Sequence, residues 1–197
     1  MTPVHRVGYP DLKVASVLAF PFPIPALLTL RAVGEMGASG GELNETRRAF
    51  LDKVSVPRDR FVSLHQIHSR SVLGADPQTY GSDADGMVTS DRRLCLGVTV
   101  ADCMPIYLYD RSSGAFGILH SGWRGTGILA DAVHAMARLY DAEAAELTVL
   151  LGPAIGVCCY RVDAERAALF QKRWGSGAAV RRDGEWYLDM RRANLDL

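Results

Sequence analysis

Three residues that commonly bind transition metals lie at or near the ends of apolar segments in this 197-residue chain. His68 follows "FVSLHQI", Cys103 follows "GVTVAD" and His120 follows "AFGIL". Two imidazoles and one thiolate form a suitable zinc ligand set, and three protein ligands leave a fourth position open, as in catalytic sites. From 68 to 103 is 35 residues and from 103 to 120 is 17, so the side chains must converge through the fold.

Polar residues adjoin each of these ligands and are candidates for substrate contacts. Asp102 precedes Cys103 and is a candidate general base or metal-orienting group, because a charge inside an apolar segment must be paired or functional. Gln66, Ser121 and Arg124 are predicted to line the same pocket, with the planar guanidinium of Arg124 suited to phosphate.

Each of these residues also has a structural interpretation. Cys103 could be a small buried hydrophobe, and the histidines could be ordinary core or loop residues. Arg124 could form a structural ion pair. The pattern around the ligands favours a functional site, but the residues alone leave these alternatives open.

The elements that must position these residues alternate between strand-like and helix-like patterns. Strands are predicted at "FVSLHQIH", "GMVTS", "LCLGVTV", "MPIYLYD" and "AFGILH", and "ELTVLLGPAIG" is predicted to be a strand that runs into a turn. Apolar residues at helical spacing predict helices at "ELNETRRAFLDKV", "TGILADAVHAMARLY" and "DAERAALFQKRW", the last with Asp163 as N-cap. A block of strands between helices predicts an α+β layered domain whose strand ends deliver the ligands.

Composition narrows the classes of partner. The chain is 48% hydrophobic and carries 22 basic and 22 acidic residues, so no excess positive charge would attract nucleic acid or an anionic membrane. No apolar run approaches the roughly 20 residues that span a bilayer, and the N-terminus lacks the pattern of a signal peptide. We therefore expect a cytoplasmic protein with small-molecule substrates and without nucleic acid or membrane partners; the sequence predicts no oligomeric state.

The remaining cysteines do not form a disulfide framework in a chain of this length. Cys158 and Cys159 follow "LGPAIGV", which is predicted to be the exit of a buried strand. We expect them to be packing residues rather than a redox pair or a second metal site.

Five ordered blocks between about residues 60 and 162 resemble the YfiH family, also called the laccase-domain or multicopper polyphenol oxidase family. They are "LHQIHS", "DADGMVTS", "VTVADCMPIYLYD", "GILHSGWRGTG" and "LGPAIGVCCYRV". The resemblance implies an α/β/β/α layered domain with mixed β-sheets and a cysteine hydrolase-like fold. It also implies zinc bound by His68, Cys103 and His120, a purine nucleoside phosphorylase acting on adenosine, inosine, guanosine or methylthioadenosine, and adenosine deamination as a further activity.

The chain departs from the family pattern outside these blocks. We expect residues 1–197 to form a single YfiH-like domain that is shortened at both ends relative to the family. The N-terminal "TRxGG" block has only a weak counterpart near Arg31 and Arg47, and the sequence stops before the family's "YSYRR" block. Arg161 occupies a position where the family commonly has glutamate.

Three other functions remain open at this stage. A copper laccase is disfavoured relative to a zinc enzyme because a trinuclear centre needs further histidines, and the chain has only five. A cysteine hydrolase or deamidase would use Cys103 as nucleophile and His120 as its base. A non-catalytic module would bind a nucleoside or a metal without turnover.

Overall fold

The computed structural model describes residues 5–6, 17–37 and 43–196, which form thirteen strands and four α-helices. The strands are β1 His5–Arg6, β2 Val17–Ala19, β3 Leu27–Thr29, β4 Phe61–Ser63, β5 Val72–Gly74, β6 Gly86–Thr89, β7 Cys95–Gly97, β8 Met104–Asp110, β9 Phe116–Ser121, β10 Leu147–Leu151, β11 Arg161–Val162, β12 Ala179–Arg182 and β13 Glu185–Leu188. The helices are α1 Glu45–Lys53, α2 Ile128–Tyr140, α3 Ala164–Trp174 and α4 Met190–Leu195.

A five-stranded sheet in the order β10-β8-β9-β6-β5 forms the centre of the fold. Adjacent strands in this sheet run antiparallel, except for β5 and β6, which are parallel. In the central pair, Pro105 of β8 lies opposite His120 of β9. The start of β8 and the end of β9 therefore meet at one edge, which brings Cys103, just before β8, next to His120.

Helix α2 covers one face of this sheet and a second β layer covers the other. The α2 side buries aliphatic residues of the sheet and of the helix: Val88, Met104, Ile106, Leu108, Leu119, Ile128, Ala132 and Met136. The opposite face packs against the parallel pair β4 and β7 through Val62, Leu64, Met87, Leu94 and Ile118. Helix α1 lies beyond that pair, with the Arg47 guanidinium 5.9 Å from the centre of the Phe61 ring. The predicted α/β/β/α order is confirmed.

A third packing unit forms from the antiparallel sheet β11-β13-β12 and the helices α3 and α4. Its core contains Phe170, Leu188 and Met190, and Trp123 and Ile155 pack against it. Because Trp123 and Ile155 belong to loops near the central sheet edge, this unit supports the region around His120. The hairpin of β12 and β13 and helix α4 were not predicted from the sequence.

Helices α1, α2 and α3 form within the segments predicted for them. The Asn44 side chain accepts a hydrogen bond from the Arg47 N–H at the start of α1, and Asp163 caps α3 in the same way through the Arg166 N–H. Helix α2 follows Gly127, whose φ of 94° lies in the left-handed region that favours glycine. None of the helices in the described ranges combines the length and apolar character needed to cross a bilayer.

Two predicted strands are shorter than their apolar patterns suggest. "FVSLHQIH" forms a strand only over Phe61–Ser63, and "LCLGVTV" only over Cys95–Gly97. Strand β5 was missed, although its three residues pair with β6. In both shortened segments the chain leaves the sheet early and supplies the loops that hold the candidate site.

Candidate metal centre

His68, Cys103 and His120 converge in the folded chain. One ligand atom from each residue lies within 4.8 Å of the corresponding atoms of the other two. Among residues 17–37 and 43–196, this is the group of three or more histidine, cysteine or acidic side chains that could share a metal ion. Three residues distant in sequence therefore form a candidate metal site.

The three candidate ligands lie in different types of secondary structure. His120 is the second-last residue of β9, as expected for a strand end. Cys103 instead lies in a bend over residues 101–103 that precedes β8, and His68 lies in a loop five residues beyond β4. The prediction that the ligands lie at or just before strand ends is therefore wrong for His68, and Cys103 lies just before the start of β8 rather than at the end of the preceding strand.

The three side chains are closely packed. The His68 and His120 rings lie edge to face, with centroids 4.9 Å apart and an interplanar angle of 82°. Gly122 borders the site: a Cβ added there would lie 3.0 Å from Cys103 Sγ and 3.4 Å from His68 Cδ2. The absence of a side chain at Gly122 therefore leaves room for the thiol and the imidazole.

A buried carboxylate, that of Asp85, lies behind the ligands. Its Oδ1 atom is 2.7 Å from His120 Nδ1, and the Asp85 side chain is fully buried. The same carboxylate accepts the backbone N–H groups of Ile67, His68 and Ser69. Because Nδ1 of His120 is occupied by Asp85, Nε2 is the nitrogen left for a metal.

The electrostatics of the site link Cys103, His120 and Asp85. Burial disfavours the charged His120 imidazolium, but hydrogen bonds to Asp85 and Cys103 outweigh burial and raise the pKa of His120 to about 9. Burial likewise opposes ionisation of Asp85, but hydrogen bonds from His120 and Ser69 lower the pKa of its carboxyl below its ordinary value. Asp85 is therefore an anion that orients His120.

The donor set fits zinc. Two imidazole nitrogens and a cysteine sulfur are common zinc ligands, at about 2.0–2.1 Å and about 2.3 Å respectively. Around a tetrahedral ion such atoms lie about 3.5 Å apart. The three ligand atoms lie within 4.8 Å of one another, which is close enough for them to share one ion.

Asp102 and Gln66 lie in the two loops that carry ligands. Asp102 is exposed in the bend over residues 101–103, and its carbonyl oxygen accepts the Ile155 N–H at 2.9 Å. Gln66 uses both ends of its amide on Thr99, donating to the carbonyl oxygen at 2.9 Å and accepting from the N–H at 2.7 Å. In this structure Gln66 therefore connects the His68 loop to the segment that leads into Cys103.

Ser121 and Arg124 follow His120 but point to different surroundings. Ser121 is fully buried, and its hydroxyl lies 3.4 Å from Asn194 Oδ1. Arg124 is exposed, with its guanidinium carbon 5.4 Å from the centre of the Trp123 ring. Arg166 stacks on the same ring at 4.9 Å. The structure leaves Arg124 accessible to an anion and engages Ser121 inside the protein.

Cys158 and Cys159 are exposed in a turn, with their sulfur atoms 2.9 Å apart. The N–H groups of Cys159 and Tyr160 both donate to the carbonyl oxygen of Gly156, which closes the turn. The expectation that these cysteines pack in a buried strand exit is therefore wrong. Their predicted lack of a metal or redox role is a separate claim and stays a prediction.

Sequence reasoning missed Asp85, although "DADG" lies inside a block that carried the family resemblance. Acidic and glycine residues in "YGSDADG" are typical of an exposed turn. Asp85 is separated from His120 by 35 residues (120 − 85), and no local pattern shows that its carboxylate is buried. One sequence signal could have identified Asp85. It directly precedes the apolar run "GMVT", and a charge buried beside such a run needs polar partners.

The layered fold and the His/Cys/His site together define an α+β domain with a candidate metal centre. Residues 34–197 match the family described as multi-copper polyphenol oxidoreductase laccase. The chain belongs to this family, so the resemblance found in the sequence is confirmed.

Relatives of this chain carry an enzymatic name. The purine nucleoside phosphorylase YlmD of Geobacillus stearothermophilus is 31% identical over an alignment of 140 residues, and the match covers 65% of this chain and 51% of YlmD. The purine nucleoside phosphorylase LACC1 of Mus musculus is 30% identical over 156 residues, 77% of this chain and 35% of LACC1. The chain thus spans about half of YlmD and about a third of LACC1.

Structural comparison shows the same fold. The crystal structure of the Bacillus licheniformis hypothetical protein YfiH aligns with a TM-score of 0.78, covering 93% of this chain and 80% of that protein. At 24% sequence identity, this likeness concerns the fold alone.

Proposed function

We propose that this chain is a zinc-dependent purine nucleoside phosphorylase whose metal ligands are His68, Cys103 and His120. The convergence of their ligand atoms within 4.8 Å is the observation that carries the proposal. The names of the relatives support the reaction class, because both are called purine nucleoside phosphorylases. The substrates would be a purine nucleoside, such as adenosine, inosine, guanosine or methylthioadenosine, and inorganic phosphate. Adenosine deamination is the second activity to test.

Phosphorolysis breaks the bond between the purine nitrogen and C1′ of the ribose while an oxygen of hydrogen phosphate forms a new bond to C1′. The departing purine takes up the proton that the phosphate loses. Zinc held by His68, Cys103 and His120 would supply a Lewis acid for an oxygen of water or substrate. Arg124 would hold the phosphate through its fork of donors, with Trp123 stacked against the guanidinium. Gln66 would act indirectly by holding the His68 loop, and the predicted substrate contact of Ser121 would require its buried hydroxyl to become accessible.

Asp102 is the proposed general base, because it is exposed in the bend next to Cys103. We expect Asp102→Asn to keep its zinc and to lose roughly 100-fold or more in turnover, since positioned acid–base groups contribute about that much. Zinc content and kcat would be measured on the same preparation. Unchanged kcat in this variant would remove Asp102 from the mechanism.

The activity test uses purified protein with zinc, inorganic phosphate and, in separate reactions, adenosine, inosine, guanosine or methylthioadenosine. Chromatography would separate the free base, ribose 1-phosphate and deaminated nucleoside. We expect free base and ribose 1-phosphate in equal amounts, with no phosphorolysis in His68→Ala or in the absence of phosphate. Failure of the zinc-loaded protein to turn over any of the four nucleosides would reject the proposed function. If that protein still bound nucleoside, the non-catalytic binding module would be the better description.

A cysteine hydrolase or deamidase is the second candidate, and one observation favours it. Asp85 hydrogen-bonds His120 Nδ1, and a ligand atom of His120 lies within 4.8 Å of Cys103 Sγ, the order of groups in a nucleophile–base–acid triad. His68 has no place in such a triad. Hydrolase activity that survives chelation and the His68→Ala change but disappears in Cys103→Ala would favour this function over the zinc enzyme.

A further inference from the structure

The Asp85 carboxylate gathers donors from both histidine segments of the site. Its Oδ1 atom lies 2.7 Å from His120 Nδ1 and 3.1 Å from the His68 backbone nitrogen. Its Oδ2 atom accepts from the Ile67 and Ser69 N–H groups at 3.3 and 2.5 Å, and from the Ser69 hydroxyl at 2.7 Å. Five donors therefore surround one fully buried side chain.

The backbone around His68 depends on this carboxylate. His68 has φ of 58°, a left-handed conformation that is strained for a residue with a side chain. The N–H groups of Ile67, His68 and Ser69 are consecutive and all point at Asp85, as in the concave nests that bind anions. The negative charge of Asp85 therefore stabilises the loop conformation that turns His68 toward Cys103.

His120 depends on the same residue through both its side chain and its backbone. Asp85 Oδ1 accepts the imidazole Nδ1–H, and the Asp85 carbonyl oxygen accepts the His120 N–H at 2.7 Å. The first contact selects the tautomer in which Nε2 carries no proton, and the second holds the backbone at the end of β9 in place. One residue thus sets the orientation of one histidine ligand and the loop geometry of the other.

We propose that Asp85 is a positioning residue that fixes both histidine ligands of the metal centre, one by its tautomer and the other by its backbone conformation. This inference rests on the proposed metal site but not on the proposed reaction. Asparagine cannot replace Asp85, because an amide has only one acceptor oxygen and its NH2 group would face N–H donors. The same shape without the charge would leave one of the two segments unsupported.

The first test needs no substitution. In zinc-loaded, 15N-labelled protein, long-range proton–nitrogen spectra report which nitrogen of each imidazole carries a proton. We expect His120 to carry its proton on Nδ1 and to bind zinc through Nε2. A zinc-bound Nδ1 with a proton on Nε2 would overturn the proposal, as would failure of the folded wild-type protein to bind zinc.

The second test compares zinc affinity, measured by competition with a chromogenic chelator, in Asp85→Asn and in a matched control. Asp110→Asn is the control because Asp110 is also fully buried and accepts from two serines, Ser112 and Ser113, at the opposite end of β8. We expect Asp85→Asn to weaken zinc binding roughly 10- to 100-fold. Asp110→Asn should reduce stability while keeping zinc affinity within about threefold of wild type.

Ser69→Ala provides a milder change if Asp85→Asn does not fold. It removes one donor to Oδ2 and should weaken zinc binding by a smaller factor, about threefold to tenfold. Wild-type zinc affinity in folded Asp85→Asn, or in Ser69→Ala where Asp85→Asn is unfolded, would overturn the proposal. Since affinity is measured without substrate, a protein that binds zinc but lacks phosphorolysis would reject the function and leave this inference standing.

Discussion

At the scale of single residues, the candidate site depends on close contacts that leave little freedom for substitution. Cys103, His68 and Gly122 meet in one such contact, in which glycine provides the space beside the sulfur and the ring. Asp85 and His120 form another, in which burial and charge act together. Both contacts make predictions that do not require knowledge of the substrate.

Gly122→Ala should weaken metal binding while leaving the fold intact. The added methyl would lie 3.0 Å from Cys103 Sγ, so the thiol must move by a few tenths of an ångström. We expect roughly a tenfold loss of zinc affinity by chelator competition, comparable to the loss of a supporting contact. Gly177→Ala is the control, because its methyl would meet only Arg192 at 3.6 Å. Equal affinities in both variants would show that Gly122 does not constrain the ligands.

The stability of the metal-free protein should fall as pH rises through about 9. The folded-state pKa of His120 is raised to about 9 from an ordinary value of 6.5, so its protonated form stabilises the folded chain. This contribution, on the order of 3 kcal/mol, is fully present below pH 6.5 and disappears as His120 loses its proton. Urea unfolding in the presence of a chelator at pH 6.5, 8 and 9.5 would measure it.

Asp85→Asn supplies the background for that pH series, because it lacks the anion that holds the His120 proton. We expect the difference in unfolding free energy between wild type and variant to shrink from pH 6.5 to pH 9.5. A difference that stays constant, or grows with pH, would contradict the charge pairing of His120 with Asp85.

At the scale of elements, the loop and turn geometries decide which residues reach the site. The edge formed by the end of β9 and the start of β8 places His120 and Cys103 together. The Gln66 amide joins the His68 loop to Thr99, in the segment that follows β7. The turn that contains Cys158 and Cys159 follows Ile155, whose backbone N–H donates a hydrogen bond to the carbonyl oxygen of Asp102.

The double variant Cys158→Ala, Cys159→Ala should keep its full zinc content. Both cysteines are exposed in their turn, so the loss of packing is small and the cost in stability should stay within about 0.5 kcal/mol. Metal analysis of the folded variant and urea unfolding would check the two parts. Loss of about one equivalent of zinc would show that these cysteines, rather than Cys103, hold the metal.

The sequence predicts the long elements and the ligands better than the connections between them. β8, α2 and α3 have strong apolar patterns, and each forms within one or two residues of its predicted bounds. "GVTVADC" is apolar enough to predict a strand, but its residues leave the sheet after Gly97 and bend at 101–103. Such bends follow from tertiary contacts such as that of Gln66 with Thr99, which lie 33 residues apart and have no local pattern.

The candidate ligands were predictable because soft donors beside apolar runs are unusual and because five sequence blocks resemble a known family. Asp85 was not, since its role depends on burial that only the complete fold creates. The prediction that Cys158 and Cys159 are buried was wrong for a related reason. An apolar segment such as "LGPAIGV" does not show that the residues after it form an exposed turn.

At the scale of the whole molecule, three packed units support one edge of the central sheet. The α2 layer and the β4–β7 layer fix the strands from both faces, and the unit of α3, α4 and β11–β13 packs against Trp123 and Ile155. The candidate metal centre lies where elements from distant parts of the chain meet, which is common for functional sites on layered folds. Membership in the laccase-like family agrees with this architecture.

X-ray absorption at the zinc edge of the loaded protein tests the central claim most directly. With three protein ligands, the spectrum should show one sulfur at about 2.3 Å and two imidazole nitrogens at about 2.0–2.1 Å, with one equivalent of zinc per chain. In Cys103→Ala the sulfur shell should disappear. A zinc shell without sulfur in the wild-type protein, or a sulfur shell that persists in Cys103→Ala, would contradict the assignment of His68, Cys103 and His120 as the metal ligands.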